Sequence, residues 1–333
     1  METLRVLELY SGIGGMHYAL KHSSKASAKS HSESGISGQV VAAIDINTTA
    51  NQVYRHNFPG TPLWNRTIEG ISLDEFQNLQ FDMILMSPPC QPFTRLGRQR
   101  GIADPRTKSF LYILNLLPRL SPLPRFILLE NVKGFESSSV RQYFVQILME
   151  CGYIFQEVMV SPTSVGIPNS RLRYFLMAKI STESICSKSK DLQMSLLPAE
   201  TESSVEPSLS SPQKPVTSSL EKEEEMEDRV LYKLETTNDA QRKLNQNRNL
   251  SIRQIQDFLE PQENDDMDQY LVPSYVLLRY ALILDIVKPI CRRSICFTKG
   301  YGRYVEGTGS ILQCDLETEL FQIKSPPGSV TNF

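Results

Sequence analysis

Short apolar runs recur along the first half of the chain, each of strand length and each ended by glycine, proline or polar residues. Arg5–Leu9 (RVLEL), Gln39–Ile44 (QVVAAI), Phe81–Met86 (FDMILM) and Arg125–Leu129 (RFILL) read as buried strands. Helical spacing fills the intervals, at Met16–Lys21, Thr49–Tyr54, Ser109–Leu117 and Ser138–Cys151. The third of these places Phe110, Ile113, Leu114 and Leu117 on one face. Phe155–Val160 is a further strand, and Arg171 and Arg173 alternate along another, so that both face the same side. Strands alternating with helices predict an α/β domain on an open sheet. Beyond residue 230, helical patterns at Ser251–Leu259 and Pro273–Val287 predict a smaller second domain.

Composition sharpens this division. The 333 residues are 40% hydrophobic and 22% charged, enough for a large α/β domain and a smaller companion. The pattern assigns 1–180 to the first domain, with a Ser-, Lys- and Gly-rich flexible insert at 22–38. Residues 181–229 are rich in Ser, Glu, Pro and Lys and read as a disordered linker. Residues 230–312 form the second region, and 313–333 an atypical tail. The net charge of −2 excludes polyanion binding by bulk charge, so any nucleic-acid contact must come from local basic clusters. The cysteines at 90, 151, 186, 291, 296 and 314 are scattered without a C-x-x-C pair, which points away from zinc and from a disulfide framework. No signal peptide and no membrane-length apolar run is read, so the expectation is a soluble cytoplasmic protein, with the nucleus as a second compartment, and no membrane or metal partner.

Three breaks between strand and helix carry candidate chemistry. The run at Phe81 stops at Ser87, Pro88 and Pro89, and then come Cys90, Gln91 and Pro92. Prolines on both sides stiffen the loop and hold one thiol at the carboxyl end of a strand, the edge where open α/β sheets bind ligands. Taken alone, Cys90 reads equally as a small buried apolar residue. After the first strand, Tyr10-Ser11-Gly12-Ile13-Gly14-Gly15 is a glycine turn that lets a ligand approach the backbone. His17 stands where a dinucleotide fingerprint wants a third glycine, and the turn also reads as a merely tight connection. Asp45 ends the second strand, where a carboxylate can hold ribose hydroxyls or cap the next helix.

Taken together, Pro-Pro-Cys-Gln at 88–91, Glu-Asn-Val at 130–132, Arg-x-Arg at 171–173 and Glu8-x-Tyr10-x-Gly12-x-Gly14-Gly15 resemble the motifs of the cytosine-5 methyltransferases. The resemblance implies a Rossmann-like S-adenosylmethionine-dependent methyltransferase sheet with a smaller target-recognition domain. It implies cofactor contacts from Tyr10, Gly12, Ile13, Gly14, Gly15, Asp45, Ile46, Ile68, Glu69 and Pro88. It also implies a catalytic set of Cys90, Glu130, Arg171 and Arg173. In that chemistry a thiolate adds to C6 of cytosine and activates C5 for methylation, and a carboxyl at N3 lets the ring accept electron density.

Basic residues after Cys90, among them Arg95 and Arg98, are placed to hold a phosphate backbone, or they form an ordinary solvated loop. Around 291–310, Arg292, Arg293, Lys299 and Arg303 interleave with Phe297, Tyr301 and Tyr304, a mixture that suits an RNA surface or ordinary strand packing. The Cys296-Phe297-Thr298 triplet resembles the branch of the family that methylates tRNA for aspartate, which implies tRNA as partner, with DNA bound weakly at most, and cytosine-38 of the anticodon loop as target. The family's C-terminal motifs have no match in 313–333, so a non-catalytic or impaired RNA-binding form is an alternative, with weakened cofactor binding expected. A DNA cytosine-5 methyltransferase is the second alternative.

Overall fold

The run at Leu4–Leu9 forms strand β1, the third strand of an eight-stranded sheet in the computed structural model. The structure describes residues 3–30, 37–89, 105–181, 230–232, 239–260, 267–298, 300–301, 303–304 and 307–314, with backbone alone at 24–30, 230–232, 239–240, 242–243 and 267–268. The other strands are β2 (Gly38–Ile44), β3 (Leu63–Trp64), β4 (Met83–Met86), β5 (Phe126–Val132), β6 (Tyr153–Val160), β7 (Arg173–Ile180) and β8 (Val230–Tyr232). Their order is β3-β2-β1-β4-β5-β7-β6-β8, and the pairs β3–β2, β2–β1, β1–β4 and β4–β5 are parallel. Strand order reverses between β1 and β4, so the crevice beyond their carboxyl ends is the topological switch point, where open α/β sheets bind ligands.

Period-two alternation along β1 explains how helices cover both faces. Leu4 and Val6 point into a cluster with Leu20, Tyr54, Phe58, Met83 and Leu85, supplied in part by helices α1 (Gly15–Ser30) and α2 (Thr48–Asn57). Leu7 and Leu9 point the other way, toward Phe76, Ile84, Ile113 and Leu116, which brings in helices α3 (Leu73–Asn78) and α4 (Lys108–Leu116). Both sets are buried, as near-continuous apolar strands require. Helix α5 (Ser139–Glu150) is fixed by charge. Its Arg141 donates through Nε to Glu157 Oε2 of β6 at 2.7 Å, and Tyr174 Oη of β7 donates to the same oxygen at 2.5 Å. A second guanidinium nitrogen of Arg141 pairs with Glu157 Oε1, and all three side chains are buried.

The chain divides into two compact units, Met1–Val158 with Tyr174–Leu231, and Met159–Arg173 with Tyr232–Phe333. The boundary therefore differs from the predicted one at residue 180. The reason is local. Ser294 Oγ donates to Pro168 O at 2.6 Å, Ser170 N donates to Ser294 O at 2.7 Å, and Gln246 donates to Thr163 Oγ1 at 3.0 Å, so 159–173 is bonded into the second unit. That unit contains helices α6 (Asp239–Arg248) and α7 (Ser274–Tyr280) and the parallel strands β9 (Asp285–Val287) and β10 (Ser310–Leu312).

Three further expectations are corrected. The helix after the glycine turn runs on to Ser30, through half of the stretch read as flexible, because no glycine or proline interrupts it there. The helix expected over Ser251–Leu259 reduces to a single 3-10 turn at Ile255–Phe258. The one expected over Pro273–Val287 ends at Tyr280 and gives way to β9, whose pairing with β10 is non-local.

Candidate active site

The site is built from the loops that follow β1, β2, β4 and β5. Tyr10 leaves β1 at φ +56°, a left-handed conformation uncommon outside glycine. Its carbonyl accepts from Ser87 Oγ at 3.2 Å, and its hydroxyl donates to Ser109 Oγ at 3.0 Å. The phenol is half-buried, and burial, with the Glu69 charge adding, raises its pKa. Gly12 follows at φ +52°, with no atom nearer than 4.0 Å to a Cβ placed there, and a Cβ on Gly15 would meet nothing. Open space therefore faces both glycines. Gly14 answers a different need: at φ +92° its Cβ would come within 2.5 Å of the Phe58 ring, so glycine here lets α1 pack on α2.

Asp45 joins the first two loops. Its Oδ2 accepts from Gly12 N at 2.9 Å and its Oδ1 from Asn47 N at 2.7 Å. The cap of α2 falls to Asn47, whose side chain accepts from Ala50 N, and not to Asp45. An ionised carboxylate accepts about four hydrogen bonds, so Asp45 keeps capacity for two hydroxyls after shaping the turn. Asn51 Nδ2 donates to Asp45 O at 2.9 Å and to Asn65 Oδ1 at 3.1 Å, and so fixes the end of β2. On either side, Ile13 is 59% exposed and Ile46 64%, two apolar side chains that a flat ring would cover. Ile68, by contrast, is buried in the core, and Glu69 beside it is half-buried.

Beneath this crevice lies a buried carboxyl that the sequence shows only as a motif position. Glu8 is 1% exposed, with Oε1 accepting from His17 N at 3.2 Å and Oε2 from Tyr54 Oη at 2.7 Å. Burial pushes its pKa up to about 7. The two hydrogen bonds oppose the rise and the Asp45 charge adds to it. His17 stacks on Phe58 at 3.7 Å, and burial, aided by the Lys21 charge, lowers its pKa to about 4.

The loop after β4 is described as far as Pro89, so Cys90, Arg95 and Arg98 lie outside the described residues. Pro88 is buried, and its carbonyl accepts from Asn131 Nδ2 at 3.2 Å, while Asn131 Oδ1 takes the amide of Val132 at 2.9 Å. Asn131 thus ties the end of β5 to the proline loop, a positioning role that sequence reasoning missed. Its signal was the asparagine next to Glu130. Glu130 itself is half-buried at the end of β5.

The predicted arginines divide. Arg171 precedes β7 and is not within it. It is exposed, with its backbone amide donating to Ser161 Oγ at 3.1 Å and its guanidinium to Cys296 Sγ at 3.5 Å. Arg173 opens β7, is half-buried and donates to Leu172 O at 2.8 Å. Of the basic residues expected on an RNA surface, Arg293 pairs with Asp285 at 2.7 Å, and Arg292 donates to Ile252 O. Their guanidinium groups are used to hold the second unit together. Tyr301 is 47% exposed, and Lys299 lies outside the described residues. No cluster of potential metal ligands occurs among the described residues, and no described helix is long and apolar enough to cross a membrane.

A mostly parallel sheet with an open glycine turn and an acid-ended second strand at its switch point defines a Rossmann-like domain. The model of the C-5 cytosine-specific DNA methylase family matches residues 4–283. The human tRNA (cytosine(38)-C(5))-methyltransferase is 51% identical over 343 residues, covering 100% of this chain and 83% of its own length. A DNA (cytosine-5)-methyltransferase of Dictyostelium discoideum is 35% identical over 95% of this chain and 77% of its own. The crystal structure of the Schizosaccharomyces pombe Dnmt2 methyltransferase aligns with a TM-score of 0.64 at 32% identity, over 94% of this chain and 77% of that one. The chain belongs to the C-5 cytosine methyltransferase family.

Proposed function

We propose that this chain methylates C5 of cytosine-38 in the anticodon loop of tRNA for aspartate, with S-adenosylmethionine as donor and Cys90 as nucleophile. The observation that carries the tRNA reading is the 51% identity to the human tRNA (cytosine(38)-C(5))-methyltransferase over the whole chain. A second reading, DNA as substrate, is favoured by the 35% identity to the Dictyostelium enzyme and is the weaker of the two.

The residues at the switch point fit the donor. Asp45 has acceptor capacity for two ribose hydroxyls, Ile13 and Ile46 offer apolar cover to an adenine, and the open faces of Gly12 and Gly15 admit close approach. When bound there, S-adenosylmethionine supplies an electrophilic methyl group. The chain's own residues do the rest. The Cys90 thiolate adds to C6 of the cytosine, turning C5 into a carbon nucleophile. Glu130 donates a hydrogen bond to N3, which lets the ring accept the electron pair. Arg171 and Arg173, the arginines of the family motif, are assigned to the phosphate of the target nucleotide. Asn131 holds the Pro88 carbonyl and with it the base of the Cys90 loop. Water takes the C5 proton, the C5–H electron pair re-forms the C5–C6 double bond, and the C6–S bond breaks to release the Cys90 thiolate. Extruding the base costs a few kcal/mol, least in an unpaired loop. Arg95, Arg98, Lys299 and Tyr301 complete the proposed RNA contacts, and any contact with DNA is weak. A cytoplasmic site of action, with the nucleus as a second, follows from a tRNA substrate.

The test uses a tRNA-Asp transcript carrying 5-fluorocytosine at position 38. Fluorine cannot leave as a proton does, so turnover stops at the adduct. The parent chain with S-adenosylmethionine should give a denaturation-resistant complex, and Cys90→Ala none while still binding the donor. A complex formed equally by Cys90→Ala would remove Cys90 from its role.

A further inference from the structure

We propose that the second unit carries a pocket for one unstacked RNA base other than the methylated cytosine, walled by the Phe297 and Tyr301 rings. The inference rests on the tRNA reading and names a subsite within it. The pocket is an open apolar hollow of about 410 Å³, floored by Ile295, Val287 and Leu312. That volume lies in the range of small-molecule sites and has room for a single base.

The hollow is unlike an ordinary packing defect because its rim is exposed and one of its rings is braced. Phe297 is 73% exposed and Tyr301 47%, and the Tyr301 ring is held from behind. Tyr301 lies against Gly309, where a Cβ would approach its ring to 2.6 Å and the Phe297 Cα to 3.0 Å. Gly309 sits at φ +157°, so glycine alone permits both the backbone and the contact. The Tyr301 hydroxyl donates to Ser310 O at 3.3 Å, and Thr298 N donates to Thr308 O at 2.8 Å, closing the loop that presents the rings. Side chains fixed before binding lose little entropy when a base stacks on them.

Ring geometry sets the mode of binding. The centroids are 6.2 Å apart and the planes are tilted by 57°, so a base cannot slide between them and instead stacks on one face with its edge toward the other ring. Asn169 lines the wall. Its Nδ2 donates to Ser294 Oγ at 3.2 Å, and its Oδ1 has no partner among the described residues, which leaves an acceptor for an amine on the base edge. The charge around the pocket suits a phosphate chain. Of the cations between Lys288 and Tyr304, Arg292 is bonded to Ile252 O and Arg293 to Asp285, while Lys288 and the exposed Arg303 add positive charge. A stacking platform in basic surroundings is how proteins hold single-stranded RNA.

The experiment places 2-aminopurine, one position at a time, at the unpaired anticodon-loop positions other than 38 of a tRNA-Asp transcript. Each transcript is titrated with the full chain, with Phe297→Ala and with Phe297→Tyr. One position should change in fluorescence with the parent and with Phe297→Tyr, and not with Phe297→Ala. KM for tRNA should rise about tenfold in Phe297→Ala, within the range measured for one aromatic stack, and return in Phe297→Tyr. The melting temperature should stay at the parent value, since the ring is exposed. The proposal is overturned if no position responds to Phe297. It is equally overturned if Phe297→Ala lowers the melting temperature and leaves KM unchanged, because the ring then covers part of this chain. Failure of the parent chain to methylate any tRNA would overturn the reading beneath it.

Discussion

Replacing Glu8 by glutamine tests the buried network beneath the glycine turn. A carboxyl that titrates near 4.5 when unfolded and at about 7 in the fold is held less favourably once ionised. The difference corresponds to about 3 kcal/mol. The sign follows from proton binding. The folded state holds the proton between pH 4.5 and 7 where the unfolded chain has lost it, so stability is full below 4.5 and falls as pH rises through 7. Glutamine has the shape of the protonated acid and never ionises. Its oxygen can accept from His17 N while its amide donates to Tyr54 Oη, whose own proton turns to His17 Nδ1, 2.8 Å away. His17 can accept throughout, because its pKa of about 4 keeps it neutral over this range. Glu8→Gln should therefore match the parent at pH 5 and exceed it by about 3 kcal/mol at pH 8.5, a rise of about 6–12 °C in melting temperature for a domain of this size. Thermal unfolding of both proteins at half-unit pH steps makes the comparison, since all other titrating groups cancel. A difference that does not change with pH would refute the argument.

On the proposed reading, Asp45→Ala should weaken S-adenosylmethionine binding about ten- to a hundredfold in calorimetry, since it removes the anchor of Gly12 and the carboxylate proposed to hold the ribose. An unchanged affinity would leave Asp45 as a loop residue only. Glu157→Ala strands the Arg141 guanidinium in the core and should cost about 3–5 kcal/mol in urea unfolding. A loss under about 1 kcal/mol would mean that water reaches the site.

What the sequence shows and hides has a physical pattern. The runs that became β1, β2, β4 and β5 were legible because strands buried on both faces must be apolar throughout. The turn at Gly12 was legible because a positive φ leaves a glycine in the sequence. The helix to Ser30 was hidden, because serine content suggests a loop while the lack of glycine and proline allows a helix. The bonds of Arg292 and Arg293 were hidden for another reason. Their partners, Ile252 O and Asp285, are brought to them by the fold, and nothing local marks the pairing. Asn51, Tyr54 and Asn131 were missed likewise, since each bonds across elements that only folding brings together. The boundary at 159–173 moved because hydrogen bonds through Ser294 outweigh sequence order.

The central claim is best tested by offering the full chain labelled S-adenosylmethionine with tRNA-Asp, the same tRNA with cytosine-38 replaced by uracil, and duplex DNA, side by side. The account predicts label on the first alone. Label on duplex DNA with none on tRNA-Asp would contradict it.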